Sequence, residues 1–466
     1  MRHQSHSAVI FFLIFNSAMF AGTGMKGNIG SSLRKPTALY EQRLSTMSNH
    51  EFYVTNYGVL GYNVSTGSAG WIWPRQSNRT YIFAQGMWFG TRKKVQSDTL
   101  KLVSVGYNPN SGISWFGPGS IDDGLDVLPE GDPLSAKYYM YIATDFSPEG
   151  KHLKNPSLPD WPIRWVNLSK TPGKNGYYGD YVSKPSLRSN YKPVFITQED
   201  MFCIYKDSDT KRNPEFKAGT GYPIGLDIMQ STYTWNFGPY KDIVYFSYSV
   251  INKSVDTLRD CYLSPASDPD IGNAVNDHVA YYSKDQSLNL GCQYTETEAN
   301  YNGVLGMDFL ESPKVKTAQD SINVFRATGI KRKIGEQIGL TTFRNWTIDV
   351  DPANGPARYD FMASGARDGD NGPGDKRFLM ATGPFRMLPG DTARVILCIM
   401  IAPGIGAWNA PPDVMNSGYL DSLVSLDKFA QNVFETEQLG NFPLAVVESK
   451  PSEAMQRSTS PWTEAV

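Results

Sequence analysis

Between Ile243 and Val250 the residues Val244, Phe246, Tyr248 and Val250 alternate with Tyr245, Ser247 and Ser249, the period of two expected of a half-buried strand. Short β-branched and aromatic runs recur from Phe52 to Val54, Tyr81 to Phe89, Thr99 to Val105, Lys137 to Ala143, Val194 to Ile204, Val304 to Phe309, Thr341 to Ile348 and Arg394 to Ile401. Each is bounded by Gly, Pro, Asn or Asp. The pattern predicts an all-β chain of two β-sandwich domains, jelly-roll or Ig-like. One stretch breaks it. Leu420, Leu423, Leu426, Ala430 and Val433 fall close to one helical face, with Ser417 or Asp421 at the start, and predict a helix over about 417–435.

The segment from Pro148 to Pro193 sets prolines among polar residues, Tyr and Trp, which predicts a long connection rather than core strands. The domain boundary is placed at its end. Residues 49–193 then form a first β domain, and 194–440 a second sandwich that carries the helix. Beyond Asn441 the chain is polar and aperiodic, as expected of a disordered tail over 441–466. No fixed short period appears, which disfavours solenoids and propellers. At the other end Arg2 precedes the apolar run Ala8 to Phe15, and small residues follow at Ser17, Ala18, Ala21, Gly22 and Gly24. That layout predicts a signal peptide over 1–24, a linker over 25–48 and an exported protein, secreted or held in the cell envelope. The apolar run is shorter than the ~20 residues a membrane helix needs, and no other segment approaches that length, so no transmembrane helix is expected.

Composition agrees with this picture and narrows the partners. Of 466 residues only 19% are charged, 13% are aromatic, and there are 42 glycines and 30 prolines, a balance unlike that of a helix bundle or a disordered chain. The 44 basic and 46 acidic residues leave a net charge of −2. No overall field remains to hold nucleic acid or an anionic membrane. Cys203, Cys261, Cys292 and Cys398 form no CxxC pair, which removes zinc-ribbon and thioredoxin spacing. Cys203 and Cys398 lie in apolar runs and read as buried hydrophobes. Cys261 and Cys292 lie in more polar sequence and are the better candidates for a disulfide, with the connectivity left open.

The sharpest local feature is an acidic loop. Asp268, Asp270, Asn273, Asn276 and Asp277 crowd around Gly272, and oxygen ligands at this density suit a structural Ca²⁺, against the plainer reading of a turn whose Asp and Asn residues bond their own backbone. It is not an EF-hand: counted from Asp268, position five is Gly272 and position twelve is Val279. A second loop with Asp368, Asp370, Asn371 and Asp375 reads first as ordinary turn chemistry. After the signal only His50, His152 and His278 remain, and neither G-x-S-x-G nor H-E-x-x-H occurs, so no catalytic residue is assigned. Asp277 and His278 are neighbours on a predicted strand, point to opposite faces and should not bond each other. Trp71, Trp73, Trp88, Tyr81 and Phe83 read as core. Trp161, Tyr177 and Tyr178, in the proline-rich segment, are the candidates for stacking on a sugar ring, the two tyrosines being the better placed because glycines flank them in a loop.

Several phrases in order, GWIWPRQSNRTYIFAQGMWFG (Gly70 to Gly90), LPDWP (Leu158 to Pro162), FSYSVINKS (Phe246 to Ser254), SDPDIGNAVNDHVAYY (Ser267 to Tyr282), LNLGCQY (Leu288 to Tyr294) and GPFRMLPGDT (Gly383 to Thr392), carry a likeness. Together they resemble the β-rich N-terminal region of large secreted or surface proteins of Bacteroidota and Ignavibacteria-like bacteria, many of them type IX secreted, a family of unknown function. The resemblance implies an exported or surface protein. Members often continue into fibronectin-type modules and a C-terminal sorting domain, a pattern from which this chain departs after Phe434. The expectation is an exported, non-catalytic extracellular or envelope β protein that is structural or binds a partner, a glycan among the possibilities. The alternative is a secreted glycan-active hydrolase with paired carboxylates, which meet only in space and leave no local spacing.

Overall fold

The computed structural model describes residues 40–108, 112, 114–121, 139–156, 158, 160–163, 165–167, 191–296, 300–406 and 410–436. The expected signal, most of the linker, Tyr177, Tyr178 and the tail lie outside them. The chain folds as an all-β sandwich of two large antiparallel sheets. In the first, of ten strands, Thr342–Thr347, Lys376–Met387, Leu258–Asp268 and Ala84–Val95 lie side by side, followed by the shorter strands of the N-terminal region, among them Glu51–Thr55 and Trp71–Ile72. In the second, of nine, Glu199–Lys206, Leu226–Thr234, Ile243–Asn252, Thr392–Pro403, Gly303–Glu311, Leu290–Thr295 and Asp277–Tyr281 follow one another. The sheets meet through their aromatic faces. Phe246 of the second lies 6.2 Å from both Phe52 and Trp71 of the first, and Tyr281 lies 5.9 Å from Phe343.

The strands expected from the alternating pattern are present, and the burial shows why some of them read as unbroken apolar runs. In Ile243–Asn252, Val244, Phe246, Tyr248 and Val250 enter the core between the sheets, while Ile243 and Tyr245 join a second cluster on the opposite face. Thr392–Pro403 divides the same way: Val395, Leu397, Ile399 and Ile401 on one side, Ile396, Cys398, Met400 and Ala402 on the other. A strand covered on both faces carries apolar residues at every position. The cover on the outer face is the C-terminal helix, Asp421–Thr436. Gly306 shows how closely it lies, since a Cβ there would stand 2.7 Å from Leu423 Cδ1.

Two further helices were not expected. Ala318–Thr328 packs on Lys376–Met387, and Gly355–Met362 packs on Asp98–Val105. Both carry signals in the sequence: Thr317 accepts a hydrogen bond from the Asp320 N–H and Gly329 closes the helix at φ 72°, while Asn354 caps the second ahead of Pro356.

The domain boundary expected at 193/194 does not separate two sets of strands. Glu199–Lys206 pairs with Gly117–Pro118 and Tyr141–Ile142, and Leu258–Asp268 runs along Ala84–Val95. Strands from both sides of the boundary thus share each sheet, and all described residues fall in one compact unit. Part of the proline-rich connection is itself paired, Trp165–Asn167 with Tyr191–Pro193. The disulfide expectation is also corrected. All four cysteines are buried free thiols, and Cys261 and Cys292 belong to different apolar clusters on different sheets.

His50 is fully buried beside this core and accepts a hydrogen bond from Trp71 Nε1 at Nδ1, 3.0 Å away. Burial pulls its pKa down from 6.5 to about 4, against the opposing pull of Asp242. The unfolded chain therefore binds the proton more readily, and this term destabilises the fold as pH drops from about 6.5 toward 4. The loss is on the order of 2 to 3 kcal/mol. His50→Asn keeps an acceptor for Trp71 and removes the titration. Urea melts at pH 7 and pH 4.5 should show a smaller acid loss for the variant than for the wild type.

Candidate functional site

The two acidic loops singled out in the sequence converge at one end of the ten-stranded sheet. Pro269 removes a backbone donor just after Asp268 and ends that strand, and Gly272, at φ 68°, turns the chain back toward the strand Asp277–Tyr281 of the other sheet. The second loop reaches the same place before Lys376–Met387, where the Gly374 N–H donates to the Asp277 carbonyl at 3.0 Å. One carboxylate oxygen each from Asp268, Asp270 and Asp375 lies within 4.8 Å of the others.

Asp268 is held on two sides. Its Oδ2 accepts from the Tyr107 hydroxyl at 2.7 Å, and its Oδ1 lies 3.0 Å from Arg377 Nε. Arg377 also pairs with Asp351, which accepts from Trp346 Nε1 at 2.5 Å. One arginine thus faces several carboxylates. Asp270 Oδ1 and Asp375 Oδ1 are buried and meet no donor among the described residues. Burial, then Asp268 and Asp375, push the Asp270 carboxyl up to about 7 despite Arg377. Burial and Asp268 likewise raise Asp375. This is a pocket of excess negative charge with open oxygens, the chemistry that accepts a hard cation.

The carboxylates that converge are not all those expected as ligands. Asp268 and Asp270 take part, and Asp375 joins them from the loop that read as an ordinary turn. Asn273 is exposed, Asn276 Oδ1 accepts from Thr295 Oγ1 at 2.9 Å, and Asp277 Oδ2 accepts from the Ile271 N–H and from Gln293 Nε2 at 3.0 and 2.8 Å, while its Oδ1 is buried and meets no donor among the described residues. Local crowding in sequence signalled the first two aspartates. The third arrives only because its strand lies beside Leu258–Asp268.

Next to this cluster, His278 is gripped from both ring nitrogens, Nδ1 lying 2.8 Å from Asp370 Oδ2 and Nε2 2.8 Å from Glu296 Oε1. Its ring stacks on Tyr294, whose hydroxyl donates to the same Asp370 oxygen at 2.9 Å. It does not pair with Asp277, as the strand alternation expects. Burial lowers the imidazole pKa, but the hydrogen bonds and charges of Asp370 and Glu296 outweigh it and the net shift is upward. A histidine with carboxylates at both nitrogens holds its proton more tightly than a free imidazole.

A second site lies where the chain from Tyr40 meets residues 139–158. A cleft of about 380 Å³ is lined by Tyr40, Tyr139, Tyr141 and Phe146, with Glu41, Arg43, Asp145 and His152 among its polar groups. Arg43 pairs with Asp145 at 2.5 Å and reaches Glu41 Oε1 at 3.5 Å; Glu41 Oε2 accepts from the Met140 N–H at 2.9 Å. Burial raises the Glu41 pKa, with Met140 and Arg43 opposing. Trp161, expected to offer a stacking face, is only 1% exposed. It packs behind the cleft instead, 5.4 Å from Phe146 and 6.5 Å from Tyr141, because a large ring gains more from burial than from solvent. A larger hollow of about 420 Å³ beside Arg92, Asp260 and Arg326 is more polar, and its tyrosines, 262 and 359, are buried.

No family model matches the chain, and no curated protein matches it. Among solved structures it is similar to the Slr1438 protein from Synechocystis sp. PCC 6803, at 8% identity and a TM-score of 0.27, over 81% of this chain and 100% of that one. A likeness this faint says nothing about function. No helix among the described residues is long and apolar enough to cross a membrane.

The His278 clamp has a testable sign. Because its folded pKa lies above the ordinary 6.5, its contribution is fully present below that value and is lost as pH rises through the folded pKa. His278→Gln should lower the melting temperature at pH 5.5 by roughly 1 to 3 °C, with the gap from wild type narrowing at pH 8.5. A gap that does not change with pH would show the clamp to be uncharged.

Proposed function

We propose that this protein is an exported, non-catalytic β-sandwich module of the extracellular space or cell envelope, and that it binds a glycan in the cleft between Tyr40 and the 139–158 segment. The observation that carries the reading is the composition of that cleft: Tyr40 and Tyr139 line it with accessible surface beside the largely buried rings of Tyr141 and Phe146, and a carboxylate–arginine–carboxylate row supplies hydrogen-bonding groups. Flat apolar faces beside fixed polar groups match a sugar ring, which has a C–H face and an edge of hydroxyls. Export rests on the N-terminal layout of Arg2, the apolar run and the small residues that follow.

A glycan array with the refolded mature chain, run together with a reducing-sugar release assay, tests this. Binding without release is expected, and Tyr139→Ala and Tyr40→Ala should each weaken it by about tenfold. Tyr177→Ala and Tyr178→Ala extend the test to the loop candidates. A specific observation favours the hydrolase as a second reading: Glu41 and Asp145 share an aromatic-lined cleft, and Glu41 is raised by burial as a general acid would be. Sugar release abolished by Glu41→Gln and by Asp145→Asn would establish that reading over the first.

The Asp268, Asp270 and Asp375 cluster serves in this proposal as a structural Ca²⁺ site that ties the sheet crossover to the second loop. A cation bound only by the folded state adds about 2.7 kcal/mol at a hundredfold excess over its Kd. Chelation should lower the wild-type melting temperature. Asp270→Asn should remove the difference between chelated and calcium-loaded protein, since it deletes a charged ligand. An unchanged wild-type melt on chelation would leave the cluster as a strained turn.

A further inference from the structure

A different group of side chains lies under the C-terminal helix. Along that helix Leu423, Asp427, Ala430 and Phe434 succeed one another at helical spacing, and all four are buried against the nine-stranded sheet. Three are apolar; the aspartate in their midst is 0% exposed. Directly opposed to it are Asp308 of Gly303–Glu311 and Cys398 of Thr392–Pro403, cross-strand partners in the sheet and 1% and 0% exposed. One oxygen of each aspartate and the Cys398 sulfur lie within 4.8 Å of one another.

Beyond the Phe309 N–H and the facing carboxyl of the pair, no donor among the described residues meets the four carboxylate oxygens. The surroundings are the apolar cluster of Leu290, Ile396, Met400 and Leu423. Two like charges left bare there would cost several kcal/mol each and repel, so either a proton or a metal ion stands between them. A shared proton joins one oxygen of each aspartate and leaves the converging Cys398 sulfur without a role. A divalent ion engages an oxygen of each carboxylate and uses the third group that converges on the same point. That third group is a thiol, which with two carboxylates suits zinc or a similar first-row ion rather than calcium or magnesium.

We infer that Asp308, Cys398 and Asp427 form a buried transition-metal site, with Zn²⁺ as the fitting ion, that fastens the C-terminal helix to the nine-stranded sheet. Three ligands come from three elements, two strands and the helix, so the ion closes a contact that side-chain packing alone makes between a sheet face and a helix stripe. The fourth position is open to a second oxygen of either carboxylate. On binding, the Cys398 thiol and the aspartate pair give their protons to solvent, and the three groups ligate as thiolate and carboxylates. The inference is independent of the glycan reading and of the calcium cluster, with which it shares no residue.

The test is elemental analysis of the full chain expressed with zinc and dialysed against metal-free buffer. About one zinc per chain is expected. Asp427→Asn and Cys398→Ser should each lower bound zinc by about tenfold or more, while Asp270→Asn, in the other cluster, leaves it unchanged. Refolding of the wild type with Co²⁺ should give a thiolate-to-cobalt charge-transfer band, a readout that needs no variant to fold, and Cys398→Ser should lack it. A wild-type chain that takes up neither zinc nor cobalt would overturn the inference and leave the aspartates as a proton-sharing pair. Zinc retained in full by folded Asp427→Asn and Cys398→Ser would overturn it equally.

Discussion

Two faces of a β-sheet must both be kept from water if its central strands are apolar throughout, and much of this structure follows from how that requirement is met. The inner faces of the two sheets cover one another through Phe52, Trp71 and Phe246. The outer face of the nine-stranded sheet, with Ile396, Cys398 and Met400, needs a second cover and finds it in Leu423, Ala430, Val433 and Phe434 of the C-terminal helix. On the other sheet, Gly355–Met362 lies so close that a Cβ at Gly90 would approach Met362 Sδ to 3.1 Å. The helices are therefore part of the core although the protein is a β protein, and any polar group on these faces is buried with them. Asp308 and Asp427 owe their environment to this layering.

The same layering draws distant segments together at the sheet ends. Leu258–Asp268 and Lys376–Met387 are neighbours in one sheet, so the loop after the first and the loop before the second must share the space at that end. Asp268, Asp270 and Asp375 meet there, with Arg377 as the local positive charge. His278, in the strand that follows the crossover into the other sheet, is clamped by carboxylates from two different connections, Asp370 and Glu296. Charged groups thus gather where strands end because the ladder no longer occupies the backbone and chain direction changes. The aromatic cleft beside Glu41, Arg43 and Asp145 is another such meeting place, formed by an N-terminal strand and the chain that follows Tyr139.

Much of this was legible along the chain. Strands at Ile243–Asn252, Asp98–Val105, Thr342–Thr347 and Thr392–Pro403 follow from period two or from unbroken β-branched runs, and the C-terminal helix follows from its apolar stripe. The helices Ala318–Thr328 and Gly355–Met362 carry readable caps, but the second has almost no apolar stripe and the first buries only Asp320 and Val324, so neither stood out along the chain. The acidic loop around Asp270 was visible because its aspartates are crowded in sequence. Asp427 was not, since a polar residue amid an apolar stripe draws no attention until its partners are known.

Local chemistry sets the β class, where strands stop at Pro269 or turn at Gly272, the final helix, and two of the three carboxylates of an acidic cluster. These are matters of period, cap and turn, set by residues a few positions apart. Which strands became neighbours, and with them the absence of a division at 193/194, the burial of Trp161, the different surroundings of Cys261 and Cys292, and the arrival of Asp375 beside Asp270, were decided by the tertiary structure. Each depends on sheet pairing between segments far apart in the chain, and that pairing is selected by the area of apolar face the whole assembly removes from water, a quantity that no local window contains.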